Sequence, residues 1–257
     1  MSDEEIKIVD ENYLVDAENV SMYFKIPEAK YDTLKERFVN YLKGKRNKYR
    51  KLQVLDNISF KIKKGESLGV IGHNGAGKST LLKIVAGIYK PKTGHIKTKG
   101  RIVLLNLGAG FDSEASGEEN VYLNGAILGF SRSQMKKRYQ SIVEFAELED
   151  FMKLPLKNYS SGMISRLGFA IAIDVHPDLM LVDEVLSVGD ESFQKKCEKK
   201  INDLKKEGVS FLFVSHNIGQ VMKLCESTLW IENSKVMAYG PSEKVCQLYL
   251  DYCRVSK

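Results

Sequence analysis

Gly72-His73-Asn74-Gly75-Ala76-Gly77-Lys78-Ser79-Thr80 sets a lysine and two hydroxyls directly after a glycine-rich run. Glycines let the backbone fold into a nest of N–H donors, and a helix starting at the end of the run adds its partial positive charge. Such a nest holds phosphate. Lys78 then brings a full charge to the β- and γ-phosphates of a nucleotide, and the Ser79 hydroxyl is placed to ligate Mg2+. Gly72, Asn74, Gly75, Gly77, Lys78, Ser79 and Thr80 are therefore the candidate phosphate-binding positions. A second apolar run, Leu179–Val182, ends in Asp183-Glu184. Two carboxylates at the end of a buried strand are costly unless they bind something. Ligands gather at the carboxyl ends of parallel strands. Asp183 is thus expected on the Mg2+ side, acting through water, and Glu184 as the base that polarises an attacking water.

Both groups need strands and helices to bring them together, and the chain supplies these in alternation. Leu14–Phe24, Val54–Ile62, Ser67–Ile71, Leu179–Val182 and Ser210–Val214 read as strands from their alternation or their buried apolar runs. Thr228–Tyr239 reads as a hairpin. Helical spacing runs over Leu81–Ala86, with Gly87 as terminator, and over Glu118–Leu128, Ser133–Ala146 and Gly162–Ile173. Further helices are expected at Glu191–Lys206, Gly219–Cys225 and Ser242–Tyr252. Strands alternating with helices predict an α/β fold whose sheet is mostly parallel.

Composition narrows the class. The chain has 257 residues, 43% hydrophobic and 28% charged, the balance of a globular protein. Leu167–Ile173, one of its longest apolar stretches, is far short of the ~20 residues a membrane helix needs. The acidic start Met1-Ser2-Asp3-Glu4-Glu5 lacks the pattern of a secretory signal, so a cytosolic location is expected. Cys197, Cys225, Cys246 and Cys253 form no Cys-x-x-Cys pair and match no histidine spacing, so they are expected as free thiols. The formal net charge of +6 suggests nucleic-acid binding until it is located. Residues 29–51 hold nine Lys/Arg against Asp32 and Glu36, a balance of +7, which leaves −1 for the rest. Within this segment Tyr31, Leu34, Phe38, Tyr41 and Leu42 recur at helical spacing. It reads as a solvated charged helix, a nucleic-acid patch or a contact with anionic lipid head groups; the third is favoured, because the aromatics lie on the apolar face rather than among the charges.

The order of the glycine-rich loop, Tyr159-Ser160-Ser161-Gly162-Met163, Leu179–Glu184 and Val214-Ser215-His216 resembles an ABC transporter nucleotide-binding domain. Leu105-Asn106-Leu107-Gly108-Ala109-Gly110-Phe111 and Glu184-Val185-Leu186-Ser187-Val188-Gly189-Asp190 resemble the branch that exports polysaccharides such as O-antigen and teichoic acid. The likeness covers about residues 12–252. It implies a P-loop ATPase with an N-terminal antiparallel β region and an inserted helical subdomain. Residues 12–113 and 174–240 would form the ATP-binding core and 114–173 the helical signature part. Residues 29–51 would be a basic insertion and 241–257 a closing helix, with no C-terminal carbohydrate-binding domain.

The resemblance also implies roles. Ser160 and Gly162 would contact the γ-phosphate of ATP held by an opposite subunit, and Asp190 would be the acid of the loop joining the two sites. His216 would contact the γ-phosphate and keep the water in line. Phe24, or else Tyr23, would stack on adenine. The implied assembly is a homodimer on the cytoplasmic face of the membrane, bound to an integral permease that carries a lipid-linked polysaccharide. No nucleic-acid partner is expected; the rival is a soluble ABC ATPase acting on nucleic acid or ribosomes. One departure stands out. The family's glutamine that joins Mg2+ to the helical part is missing from Val103–Gly110, where Asn106 and the backbone are the substitutes.

Overall fold

The computed structural model describes residues 13–27, 49–105, 110–183 and 190–255. Two long strands, β1 (Tyr13–Pro27) and β2 (Tyr49–Lys63), pair antiparallel. Strand β4 (Thr93–Thr98) joins the other edge of β1, giving the order β2-β1-β4. The second sheet has six strands. Strands β5 (Ile102–Leu105), β6 (Leu179–Asp183), β7 (Ser210–Val214), β3 (Ser67–Ile71) and β8 (Ser227–Glu232) lie side by side in that order. All of these neighbours pair in parallel, and β9 (Lys235–Pro241) closes the edge antiparallel to β8.

Strands β3, β6 and β7 are apolar almost throughout because both of their faces are covered. On one face Leu68, Val70, Leu179, Leu181, Leu212 and Val214 meet Val20, Leu55, Ile58 and Phe60 of the antiparallel sheet. Helix α1 (Lys78–Val85) inserts Leu81, Leu82 and Val85 into the same layer. On the other face Met180, Val182, Phe211, Phe213 and Trp230 pack on α5 (Glu191–Lys206) and α7 (Ser242–Val255) through Phe193, Ile201 and Val245. Each fully buried side chain of this size contributes roughly 1.5–3 kcal/mol. Short helix α6 (Ile218–Leu224) sits between β7 and β8 in the chain.

A third apolar cluster belongs to α2 (Gly117–Ile127), α3 (Arg132–Ala146) and α4 (Ser161–Asp174). Capping boxes begin two of these helices: Ser116 with Glu119 starts α2, and Ser131 with Gln134 starts α3. Asn120, wholly buried, donates through Nδ2 to the carbonyls of Asp112, Ala115 and Ser116 and accepts the Asp112 amide on Oδ1. That one side chain fixes the turn leading into α2.

The expected elements are present, with three differences. Strands β4 and β5 were not expected. The first two strands are longer than Leu14–Phe24 and Val54–Ile62, because Lys25–Pro27 pairs with Tyr49–Lys51. Tyr49, Arg50 and Lys51 are therefore strand residues rather than part of an amphipathic insertion, and Lys51 Nζ lies 4.8 Å from the Tyr23 ring centre. Tyr31, Leu34, Phe38, Tyr41 and Leu42 lie outside the described residues. Among the described residues, no helix is long and apolar enough to cross a membrane.

Candidate active site

Three neighbouring strands of the six-stranded sheet end at one place. Val70 pairs with Val214, and Val214 pairs with Asp183, so β6, β7 and β3 finish in line. Asp183 closes β6, His216 follows β7 by two residues, and Gly72 follows Val70 by two. The open cavity there, about 530 Å3, is lined by Val54, Asn74, Gly75, Gly77, Lys78, Ser79, Thr80, Asp183 and His216. Residues from four separate stretches of chain thus meet, three of them at the ends of parallel strands as that topology requires.

The loop from β3 to α1 is held by its glycines. At Gly77 φ is +103°, and an added Cβ would lie 2.5 Å from the Val54 carbonyl oxygen and 2.7 Å from Leu55 Cδ2. A side chain there is excluded by both conformation and space. Gly77 is also the N-cap of α1, and no side chain caps that helix or places an acid in its first turn. The amides at this helix start therefore face the cavity without a carboxylate of the same turn competing for them. Lys78 is only 5% exposed, and its ammonium donates to the carbonyls of Gly72 at 2.8 Å and His73 at 2.9 Å. A buried ammonium needs such oxygens. A nucleotide phosphate supplies stronger ones.

Glu184 lies outside the described residues, as do Asn106–Ala109. Ser160 and Gly162 are described but do not line the cavity. Ser160 is exposed and is the N-cap of α4, where its hydroxyl accepts the Met163 amide at 3.2 Å. Asp190 is the N-cap of α5 and accepts the Phe193 amide at 2.9 Å. The Ser192 hydroxyl, the Phe193 amide and, more weakly, Arg166 hold its carboxyl below the usual 3.8. Phe24 is half-buried and packs edge-on against Tyr89 at 5.9 Å; neither it nor Tyr23 lines the cavity.

Two arrangements were not visible in the sequence. Arg166 of α4 donates to Asp190 at 2.6 Å and to Glu147 at 3.1 Å, and Glu147 accepts from Lys196 of α5 at 2.8 Å. This network ties the helix beginning at Ser160 to the start of α5. The second is a contact between His73 Nδ1 and Glu232 Oε1, which joins the phosphate-type loop to the end of β8. Both pairs are far apart in sequence, and no local spacing marks them.

Residues 55–187 match the model of the ABC transporter family. The chain is 47% identical over 203 residues to the O-antigen export system ATP-binding protein RfbB of Klebsiella pneumoniae, covering 79% of this chain and 82% of the relative. It is 37% identical over 243 residues to the teichoic acids export ATP-binding protein TagH of Bacillus anthracis, covering 95% of this chain but 43% of that protein. In three dimensions it resembles the dimeric ATP-binding cassette MJ0796 bound to ADP and phosphate. The TM-score is 0.72 at 21% identity, over 89% of this chain and 98% of that one. An ATP-binding subunit of an ABC transporter gives a TM-score of 0.74 at 21% identity, over 95% and 100%. At that identity the likeness concerns the fold.

Proposed function

Because this chain belongs to the ABC transporter ATP-binding family, we propose that it is the ATP-hydrolysing subunit of an exporter for a lipid-linked polysaccharide. The observation that carries the reading is the meeting of Lys78, Ser79, Asp183 and His216 around one cavity behind an uncapped helix start. Relatives named for O-antigen and teichoic acid export set the substrate class.

ATP binds with its phosphates against the amides of Asn74–Thr80, and Lys78 turns from the Gly72 and His73 carbonyls toward them. Ser79 and, through water, Asp183 would hold Mg2+. One hydroxyl and one carboxylate suit an ion that keeps several waters and takes its other ligands from phosphates. When bound, that ion neutralises phosphate charge. Glu184 accepts a proton from the water that attacks the γ-phosphorus, while His216 keeps that water in line. Cleavage of the β–γ bridge releases ADP and phosphate. Phe24 is proposed to stack on adenine, which requires it to turn from Tyr89.

Ser160 and Gly162 do not reach their own chain's cavity, so a second copy is proposed to supply them. Two chains then enclose two nucleotides and work on an integral permease at the cytoplasmic membrane face. Co-purification from membranes tests this. An integral permease and lipid-linked glycan are expected to accompany the chain, with ATP turnover. Recovery free of integral protein, with turnover that depends on RNA or ribosomes, overturns the transport reading in favour of a soluble ATPase.

A further inference from the structure

Glu232 is a buried acid that does not line the nucleotide cavity. It ends β8, and its side chain is 7% exposed. A carboxylate so placed is costly unless donors compensate it. One oxygen meets His73 Nδ1, and Trp230 Nε1 points at the other from 3.5 Å. An ionised carboxylate only accepts, so with Glu232 ionised the His73 Nδ1–H is the donor in this contact.

His73 is the second residue of the phosphate loop, and its carbonyl is one of the two that hold the Lys78 ammonium. The backbone beside it has no slack. At Gly72 an added Cβ would lie 2.0 Å from the Ile231 carbonyl oxygen, and Ile71 pairs with Trp230. The start of the loop therefore rests on β8 through both its backbone and the His73 side chain. On the far side the Trp230 indole, 6% exposed, is flanked by two rings of α7: Tyr249 at 5.5 Å and Tyr252 at 5.1 Å.

We propose that Glu232 is a positioning residue of the phosphate loop, holding it through His73 and registering its occupancy at Trp230 beneath α7. The inference rests on the ATPase reading of the cavity. When Lys78 turns to a nucleotide, the two carbonyls it leaves are released and the loop at His73 settles anew against a carboxylate that cannot follow. The indole that faces the same carboxylate then experiences a changed field. Linkage makes the effect reciprocal, so disturbing the His73–Glu232 contact changes nucleotide affinity.

The chain contains a single tryptophan, so its emission reads this contact without a label. Titrating the purified chain with ADP or a non-hydrolysable ATP analogue should give a saturable change in Trp230 emission. Its midpoint should match binding measured by equilibrium dialysis. His73 is half-exposed, so His73→Ala is expected to fold, checked by circular dichroism. It should raise KM for ATP about tenfold, leave kcat within about twofold and abolish the emission change. His73→Asn, whose amide nitrogen falls where Nδ1 stood, should restore KM to within about threefold. Glu232→Gln should act in the same direction as His73→Ala; because it is buried, the His73 pair decides if it fails to fold. If nucleotide binds but Trp230 emission is unmoved, or if His73→Ala lowers kcat with KM unchanged, the positioning role is overturned and the ATPase reading stands. If the wild-type chain binds no nucleotide, both fall.

Discussion

Two helix starts to which the proposed function gives one kind of ligand are built in opposite ways. Helix α1 begins inside a cavity, at a glycine with no side-chain cap, beside a lysine that is 5% exposed. Helix α4 begins on the surface, capped by the hydroxyl of exposed Ser160 and set off from the cavity. The first has its charge, its hydroxyls and its enclosing walls from one chain. The second offers a helix start and little else, so it needs a surface brought to it. If the two form the proposed composite site, the difference teaches that one half of such a site can be nearly complete alone, while the other has meaning only in contact.

That contrast can be broken by experiment, beginning where the effect is largest. Glu184→Gln removes the proposed base, the residue after Asp183 in the sequence, and should lower turnover by about 10²–10⁴-fold while MgATP still binds. Turnover near wild type would remove Glu184 from its role. Lys78→Ala deletes the charge of the enclosed half. It should weaken ATP binding by about 10–100-fold, the value of a charge-assisted hydrogen bond lost from a buried site, read by equilibrium dialysis. Unchanged affinity would contradict the phosphate-loop assignment.

The exposed half has a different signature. Ser160→Arg puts bulk and positive charge at the start of α4, so turnover should fall while the single chain's ATP affinity stays within about twofold, because Ser160 is no part of the cavity wall. Mixed with Lys78→Ala chains, it yields heterodimers with one site carrying both changes and one carrying neither, and turnover should partly return. Mixing without recovery argues against a two-chain site. The smallest effect concerns the network behind α4. Asp190 has its carboxyl depressed below 3.8 by Ser192 and Phe193, with Arg166 adding to it. A carboxyl with a depressed folded value contributes stability above its unfolded value and loses it as pH falls through the folded one. The cap should therefore hold across neutral and mildly acidic pH and loosen only below about pH 3.8, visible as faster amide exchange at Phe193. Exchange that already quickens near pH 6 would show the cap is not set by this carboxylate.

The same contrast governs how much could be read from the sequence. The enclosed half was legible because Gly72–Thr80 is contiguous and each residue type has a local reason. Asp183 was legible because a carboxylate closes a fully apolar strand. Strand β4 was not, since five of its six residues are exposed and only pairing with β1 defines it. The four-residue β5 likewise takes its identity from β6 beside it. The first hairpin-like pair reaches Pro27 and Tyr49 because backbone pairing continues past the end of apolar alternation. His73–Glu232 and Arg166–Asp190 join side chains brought close only by the finished sheet and helices, and a one-dimensional pattern carries no trace of them.

The order of strands in the parallel sheet has a consequence for synthesis. Strand β3, which launches the phosphate loop, finds its two neighbours in β7 and β8, made more than 140 residues later. A nascent chain that has not yet exposed Ser210–Glu232 has neither edge of β3 covered, and the loop has no His216 opposite it and no Ile231 carbonyl to rest on. Contacts so distant along the chain form slowly and leave unpaired edges exposed meanwhile. Helices α2, α3 and α4, whose cluster is drawn largely from one contiguous stretch, need no such wait. The ribosome therefore finishes the outward-facing half of the machine before the half that grips the nucleotide can exist.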